Sequence, residues 1–361
     1  MSLTRKLCSL GSHRVLDPAG ALPQGARKLD ATPVAHANEI LCDVEALNID
    51  SASFRQIVEA SGGDPSAVAA HVLALVEDRG KHHNPVTGSG GMFIGRVRAV
   101  GEQLAERAGV KAGDRIASLV SLTLTPLRID AIERIDMATG RIWIRGTAVL
   151  FQTSLYATLP DDLPDDVALA VLDVAGAPAQ VKRLVHAGQT VAILGADGKS
   201  GMLACAQARE RAGRDGRVIG FGPDRSTAAA QLLVAHGYVD AFVECDARDV
   251  LCVLGKLPEV LPELADVTIN CVNVPGTELA SILLTKDHGI VYFFSMSTSF
   301  TAAALGAEGV GKDVTMIVGN GYAKGHAATA LQTLRDHPAL RRYFIERYGA
   351  TATAPAVAPV S

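Results

Sequence analysis

The chain has little cysteine, and what it has follows no pattern. Cys8, Cys42, Cys205, Cys245, Cys252 and Cys271 form no C-x-x-C pair and keep no regular spacing. That excludes a disulfide framework and a cysteine-rich zinc site, and it predicts a reducing compartment. No apolar run approaches the roughly 18 residues of a membrane span. The opening MSLTRKLCSLGSHRVLD carries early positive charge but no apolar signal-peptide core, so a cytoplasmic protein is expected. A preponderance of one charge is missing as well. The formal net charge is −4, which offers no electrostatic footprint to nucleic acid or to an anionic membrane. The expected partner is a small molecule.

Apolar residues are plentiful. They make up 48% of the 361 residues against 20% charged, enough for a substantial core and two domains. Two textures divide the chain. From Cys8 to about Leu159, short strand-like runs alternate with Gly, Pro and Asp. They include Ile40–Leu47, Gly91–Val100 and Arg115–Ser121, then a hairpin of Ala131–Ile135 and Arg141–Ala148. Helices are expected at Ser51–Ala60 and Ser66–Asp78. From Asp165 onward, apolar strands alternate with Ala-rich helices, which predicts an α/β, doubly wound parallel sheet. The strands are Thr190–Leu194, Arg217–Phe221, Ala241–Val243, Val267–Cys271, Ile290–Ser295 and Val314–Val318. The helices are Gly201–Ala212, Ser226–His236, Ala247–Leu254, Thr277–Leu284 and Gly325–Arg335. The Ala/Pro/Thr-rich end, Thr351–Ser361, reads as a frayed tail.

The strongest motif runs from Thr190 through Gly195-Ala196-Asp197-Gly198-Lys199-Ser200-Gly201. It is a strand, a glycine turn and a helix start. Gly195 makes the turn, Gly198 lets backbone N–H groups approach a pyrophosphate, and Gly201 lets helix and strand pack closely. The helix N-terminus adds orphan donors and partial positive charge. A P-loop is the rival, given Gly198-Lys199-Ser200, but its first glycine would fall at Ile193. The reading is a dinucleotide-binding Rossmann domain. Its second strand ends at Gly222, where an NAD enzyme usually has an acid. Arg225 and Ser226 can receive a 2′-phosphate, whereas Asp224 can reach a ribose, so NADP is favoured over NAD. Cys271 and Ser295, closing their strands, complete the candidate cofactor set.

The order of pieces resembles the medium-chain dehydrogenase/reductase superfamily. Ile40–Ile49, Gly88–Gly101 and Gly113–Leu119 resemble its chaperonin-10-like catalytic domain, and the Rossmann half follows in family order. A narrower resemblance is carried by Gly11-Ser-His-Arg-Val15 with Pro18, Gly20, Leu22 and Pro23. Ala46–Phe54, Asn84–Gly91 and Leu119–Arg128 add to it. These segments are similar to the L-erythro-3,5-diaminohexanoate dehydrogenases of bacterial lysine fermentation. The resemblance implies a strand-rich catalytic domain over 1–160, a Rossmann domain over 161–321, and a segment 322–361 packing back on the first. It also implies a homodimer acting on an amino-acid substrate.

The alcohol-dehydrogenase branch of that superfamily holds zinc, and this chain lacks its ligands. Asp50-Ser51 and Gly88-Ser89-Gly90 stand at the ligand positions, and the structural-zinc lobe is missing. Adjacent His82 and His83 point apart on a strand and lack a third ligand, so no metal is expected. The implied reaction oxidises a C3 amine by hydride transfer and then hydrolyses the iminium, which requires a general base. Asp50 is a candidate base or ammonium partner, or else an N-cap of the helix at Ser51. His83 can shuttle protons or lie in a loop. Thr87 and Ser89 can orient water or simply form a turn. Thr123, Thr125 and Arg128 follow a buried strand, with Arg128 the first choice for the substrate carboxylate, or a surface charge. Tyr322 can line the cleft or pack in the core. The rival enzyme reading is a zinc-free enone or quinone reductase, for which Asp50 and Arg128 are incidental. The non-enzyme rival is a non-catalytic NADPH-binding sensor or a lens-type structural protein.

Overall fold

The computed structural model describes residues 7–86, 88, 90–319, 321–349 and 356–360. Its contacts divide the chain into two compact units, Met1–Asp161 with Thr351–Ser361, and Asp162–Ala350.

The first unit opens with a small pair, β1 (Val15–Asp17) and β2 (Lys28–Leu29). Then come β3 (Glu39–Ile49), α1 (Ser51–Ala60), α2 (Pro65–Arg79), β4 (Gly91–Val100), β5 (Arg115–Ser118), β6 (Leu127–Asp136), β7 (Arg141–Phe151) and β8 (Tyr156–Thr158). Helix α2 starts where the sequence supplies a stop and a start together. Asp64 accepts from the Ala67 N–H, Pro65 occupies the first turn, and left-handed Gly80 closes the other end. The long strand β3 lies between β7 and β4 in antiparallel register, with Ile49 opposite Gly91. Its inward residues, with Ile57, Val68, Val72, Phe93 and Ile142, form the core of the unit.

Beneath β3 sits a buried ion cluster. Arg14 donates from Nε and Nη2 to the two Glu39 oxygens at 2.8 and 2.6 Å. His13 Nε2 lies 2.8 Å from Oε1, and the His36 N–H donates to Oε2 at 2.8 Å. Burial alone would push the Glu39 carboxyl up, but Arg14, His13 and the His36 amide together hold it at about 2.

The second unit continues with α3 (Asp165–Leu172), α4 (Gly176–Leu184), β9 (Thr190–Leu194), α5 (Lys199–Ala212), β10 (Arg217–Gly222), α6 (Ala228–Ala235), β11 (Ala241–Glu244) and α7 (Val250–Val260). It closes with β12 (Ala265–Asn270), α8 (Glu278–Leu284), β13 (Thr285–Phe293), α9 (Phe300–Val310), β14 (Thr315–Val318), α10 (His326–Asp336) and α11 (Pro338–Tyr348). The six strands order as β11-β10-β9-β12-β13-β14 and all pair in parallel. The order reverses between β9 and β12, and ligands of open α/β sheets bind outside the strand ends at such a point.

Three expectations need correction. Residues 326–348 belong to the second unit, where α10 lies against α3, α4 and α5, and of the segment 322–361 only the end joins the first unit. Buried Ala330, Leu331 and Leu334 give α10 a core-facing stripe that the Rossmann helices cover. The tail is more than a frayed end: β15 (Ala356–Val360) pairs antiparallel with β6 at the sheet edge, a place that tolerates Pro359. Strand β13 begins at Thr285, earlier than Ile290, because its polar start Lys286-Asp287-His288 hides a strand from any apolar pattern.

Candidate active site

The second unit builds a dinucleotide cradle from backbone. Gly195 turns the chain out of β9 with φ +70°, a left-handed conformation that favours glycine. The Gly195 and Ala196 N–H groups donate to Phe221 O at 2.9 and 3.0 Å, tying the loop to β10. A Cβ on Gly201 would lie 2.0 Å from Gly195 O, so this helix turn can pack on the loop only as glycine. Exposed Gly198 precedes α5 and leaves the first helical N–H groups directed out of the loop. A pyrophosphate fits this arrangement, with the helix N-terminus supplying donors and positive potential.

Side chains around the loop are more committed than the sequence suggested. Lys199 Nζ donates to Asp173 Oδ2 at 2.8 Å. Ser200 is buried beside Cys271, whose thiol burial pushes up to about 12 against the opposing Ser200 hydroxyl. That thiol is no nucleophile. The Ser295 hydroxyl accepts from the Ser297 N–H at 3.1 Å. Asp224 Oδ1 accepts from both the Ser226 N–H (2.7 Å) and its hydroxyl (2.6 Å), and the Arg225 N–H donates to Glu244 Oε2 at 3.1 Å. Tyr322 meets His326 edge-on, ring centres 5.3 Å apart.

The first unit gathers a second group of residues where β3 runs into α1. Asp50 sits at the N-cap of α1, yet its side chain makes no cap hydrogen bond there. Instead, Oδ2 accepts from the Gly90 N–H at 3.0 Å. Gly90 is itself wedged: a Cβ would stand 2.8 Å from both His82 O and Thr123 N. Gly91 follows with φ +113°, where a Cβ would meet Asn48 O at 2.1 Å. The end of β3, the 81–90 loop and the Thr123 turn therefore meet through two glycines. Thr123 Oγ1 donates to Ser121 Oγ at 3.0 Å, and Thr125 Oγ1 to Ser121 O at 3.1 Å. Asn84 pins the loop to α1 by donating to Ser53 Oγ at 3.1 Å and Gln56 Oε1 at 2.8 Å.

Asp50, Thr123 and the loop bearing His83 are thus brought together. His83 is half-buried, and burial, with Lys81 and Arg79 adding to it, lowers its pKa and keeps the ring neutral. Arg128 is not brought to this group. It is exposed on β6 and donates to Asp130 at 2.8 Å, the surface-charge arrangement. Thr87 and Ser89 lie outside the described residues. Among the described residues, no three His, Cys, Asp or Glu side chains converge to hold a metal ion.

Lys81 escaped the sequence reading, and His82, expected on a strand, lies in this loop. Lys81 is fully buried, with Nζ donating to Pro23 O at 2.8 Å and its pKa lowered by burial to about 8. His82 is fully buried, and among the described residues neither ring nitrogen has a hydrogen-bond partner. Burial lowers it to about 4, with the Gly90 backbone opposing the shift. A polar Lys-His-His run reads as solvated loop, and only its tertiary setting buries it.

Comparison with known proteins sets this geometry in a family. Residues 13–160 match the model of the L-erythro-3,5-diaminohexanoate dehydrogenase N-terminal domain. An L-erythro-3,5-diaminohexanoate dehydrogenase of Acetoanaerobium sticklandii is 50% identical over 352 residues, covering 95% of this chain and 99% of the relative. The enzyme of that name from Fusobacterium nucleatum is 52% identical over 345 residues, with the same coverage of 95% and 99%. Among solved structures, a quinone oxidoreductase of Pseudomonas syringae superposes with TM-score 0.53 at 16% identity, over 88% of this chain and 84% of that one. A mycobacterial protein complexed with NADPH gives 0.51 at 18%, over 89% and 84%. These two share the fold.

Proposed function

The chain belongs to the L-erythro-3,5-diaminohexanoate dehydrogenase family, and on that premise we propose that it oxidatively deaminates L-erythro-3,5-diaminohexanoate to 5-amino-3-oxohexanoate and ammonia. The observation that carries this reading is sequence identity of 50–52% across 95% of the chain, which takes in both units. A nicotinamide dinucleotide, when bound, supplies the hydride acceptor. Gly195, Gly198 and Gly201 would hold its pyrophosphate against the α5 N-terminus.

The remaining chemistry falls to the protein. An ammonium cannot release hydride, so the C3 nitrogen must first lose a proton. Asp50 is the group we assign to hold that ammonium and take its proton. Its carboxylate is fixed by the Gly90 N–H while it leaves its own helix uncapped. Neutral His83 is suited to receive the proton onward, and the Thr123 hydroxyl to orient the water that attacks the iminium carbon. Water addition and loss of ammonia then give the ketone.

Oxidation of 3,5-diaminohexanoate with reduction of the coenzyme, followed by absorbance beside a panel of enones, tests the reading. Turnover of enones without turnover of the diamine would favour the reductase. For the assembly we propose a homodimer. Strand β14 is a sheet edge, and Val318, Phe300, Leu305 and Met296 near it are exposed; edges and apolar patches of this kind favour a second copy. A monomeric mass by light scattering would overturn it.

A further inference from the structure

Pro18, Gly20, Leu22 and Pro23 lie between β1 and β2, far in sequence from Asp50. The hairpin they form nevertheless grips the loop to which Asp50 is tied. Pro23 O accepts from Lys81 Nζ at 2.8 Å. Left-handed Gly80 is pressed against β2, where a Cβ would stand 2.0 Å from Leu29 O. At the surface Arg27 donates to Asp17 within the hairpin and to Asp78 near the end of α2. Arg14 secures the chain that follows by donating to Asp30 O, Thr32 O and Val34 O.

Contacts run on from Lys81 to the candidate base. The next residue, His82, sets its carbonyl against Gly90, where a Cβ would stand 2.8 Å from it. The Gly90 N–H in turn holds the Asp50 carboxylate. Hairpin, Lys81, loop and Asp50 are thus one continuous series.

Lysine is a costly tether here. It is fully buried, and among the described residues its N–H donors find one neutral carbonyl and no carboxylate. An ammonium so placed destabilises a fold in a way that a methionine of similar length would not. Such conflicts between residue and setting gather at functional sites. The Lys81 charge also bears on His83, whose pKa is lowered by burial first, then by Lys81, then by Arg79 at the end of α2. Both cations favour the neutral imidazole, the form that can accept a proton.

We propose that Lys81 is a positioning residue for the amine chemistry, tying the N-terminal hairpin to the loop that fixes Asp50 and presenting its charge to His83. The proposal rests on the dehydrogenase reading and deepens it.

The test is Lys81→Met in the full-length protein. Its kcat on 3,5-diaminohexanoate should fall about ten- to a hundredfold, the scale of a small misplacement of reacting groups. NADH binding, followed by coenzyme fluorescence, should be unchanged, because the glycine cradle belongs to the other unit. Tm should hold or rise, since a buried charge has been removed. Lost turnover in a protein as stable as its parent is what a lysine kept for the fold alone would not give. The His83 ring, followed by NMR and assigned with His83→Gln, should titrate at higher pH once the neighbouring positive charge is gone. Near-normal kcat, an unmoved His83 titration, or a variant that fails to fold would overturn the assignment of Lys81. No diamine turnover by the unaltered protein would overturn the dehydrogenase reading and the assignment with it.

Discussion

The Asp50 carboxylate is tethered to the Gly90 N–H at 3.0 Å, across 40 residues of sequence, and not to the helix that begins beside it. A capping Asp would accept from the second or third N–H of α1; this one is turned toward the loop that carries His83. Asp50→Asn keeps the size and an acceptor oxygen but loses the base. General-base contributions are typically about 10²–10⁴-fold, so kcat should fall by at least about a hundredfold with thermal stability little changed. Near-normal turnover in a folded, coenzyme-binding variant would remove Asp50 from the chemistry.

The Gly11-Ser-His-Arg-Val15 run is structural. Arg14 neutralises the buried Glu39, beside which His13 Nε2 lies 2.8 Å from Oε1, and removing the charged partner of such a pair leaves a stranded charge, a loss of about 3–5 kcal/mol. Arg14→Met should show that loss in denaturant unfolding, and Arg14→Met with Glu39→Leu should recover part of it. A single variant within about 1 kcal/mol of the parent, the scale of an exposed pair, would contradict the cluster's role.

His82 makes the first unit sensitive to mild acid. Its folded value of about 4 lies below the ordinary 6.5, so between these the unfolded chain binds more protons. Stability is then full above pH 6.5 and falls as pH drops toward 4. At pH 5 the loss is about 2 kcal/mol. Glu39 acts lower, its contribution present above 4.5 and lost as pH falls toward 2. The difference in Tm between pH 7 and pH 5 should shrink in His82→Phe, and an undiminished difference would rule His82 out as the source.

What the sequence revealed and what it hid differ in range. Gly195 and Gly201 were legible because a local rule forbids their side chains, and the structure shows the clashes that enforce it. Asp50 was legible as a position but not as a contact, since Gly90 lies on another strand's approach. The lack of a side chain at Gly222 is plain in the sequence, but that the Asp197 carboxylate occupies the space beside it depends on how the loop curls over β10. Arg128 drew attention by its place in a motif, while its partner Asp130, two residues on, puts both on an exposed strand face. Glu39 was overlooked because nothing local links it to Arg14.

The central claim is that this chain removes the C3 amine of L-erythro-3,5-diaminohexanoate. The direct measurement is stoichiometry: coenzyme reduced and ammonia released when purified protein is given that diamine. One ammonia per reduced coenzyme, with 5-amino-3-oxohexanoate as the product, is the predicted result. Coenzyme binding without either product, or reduction without ammonia, would contradict it.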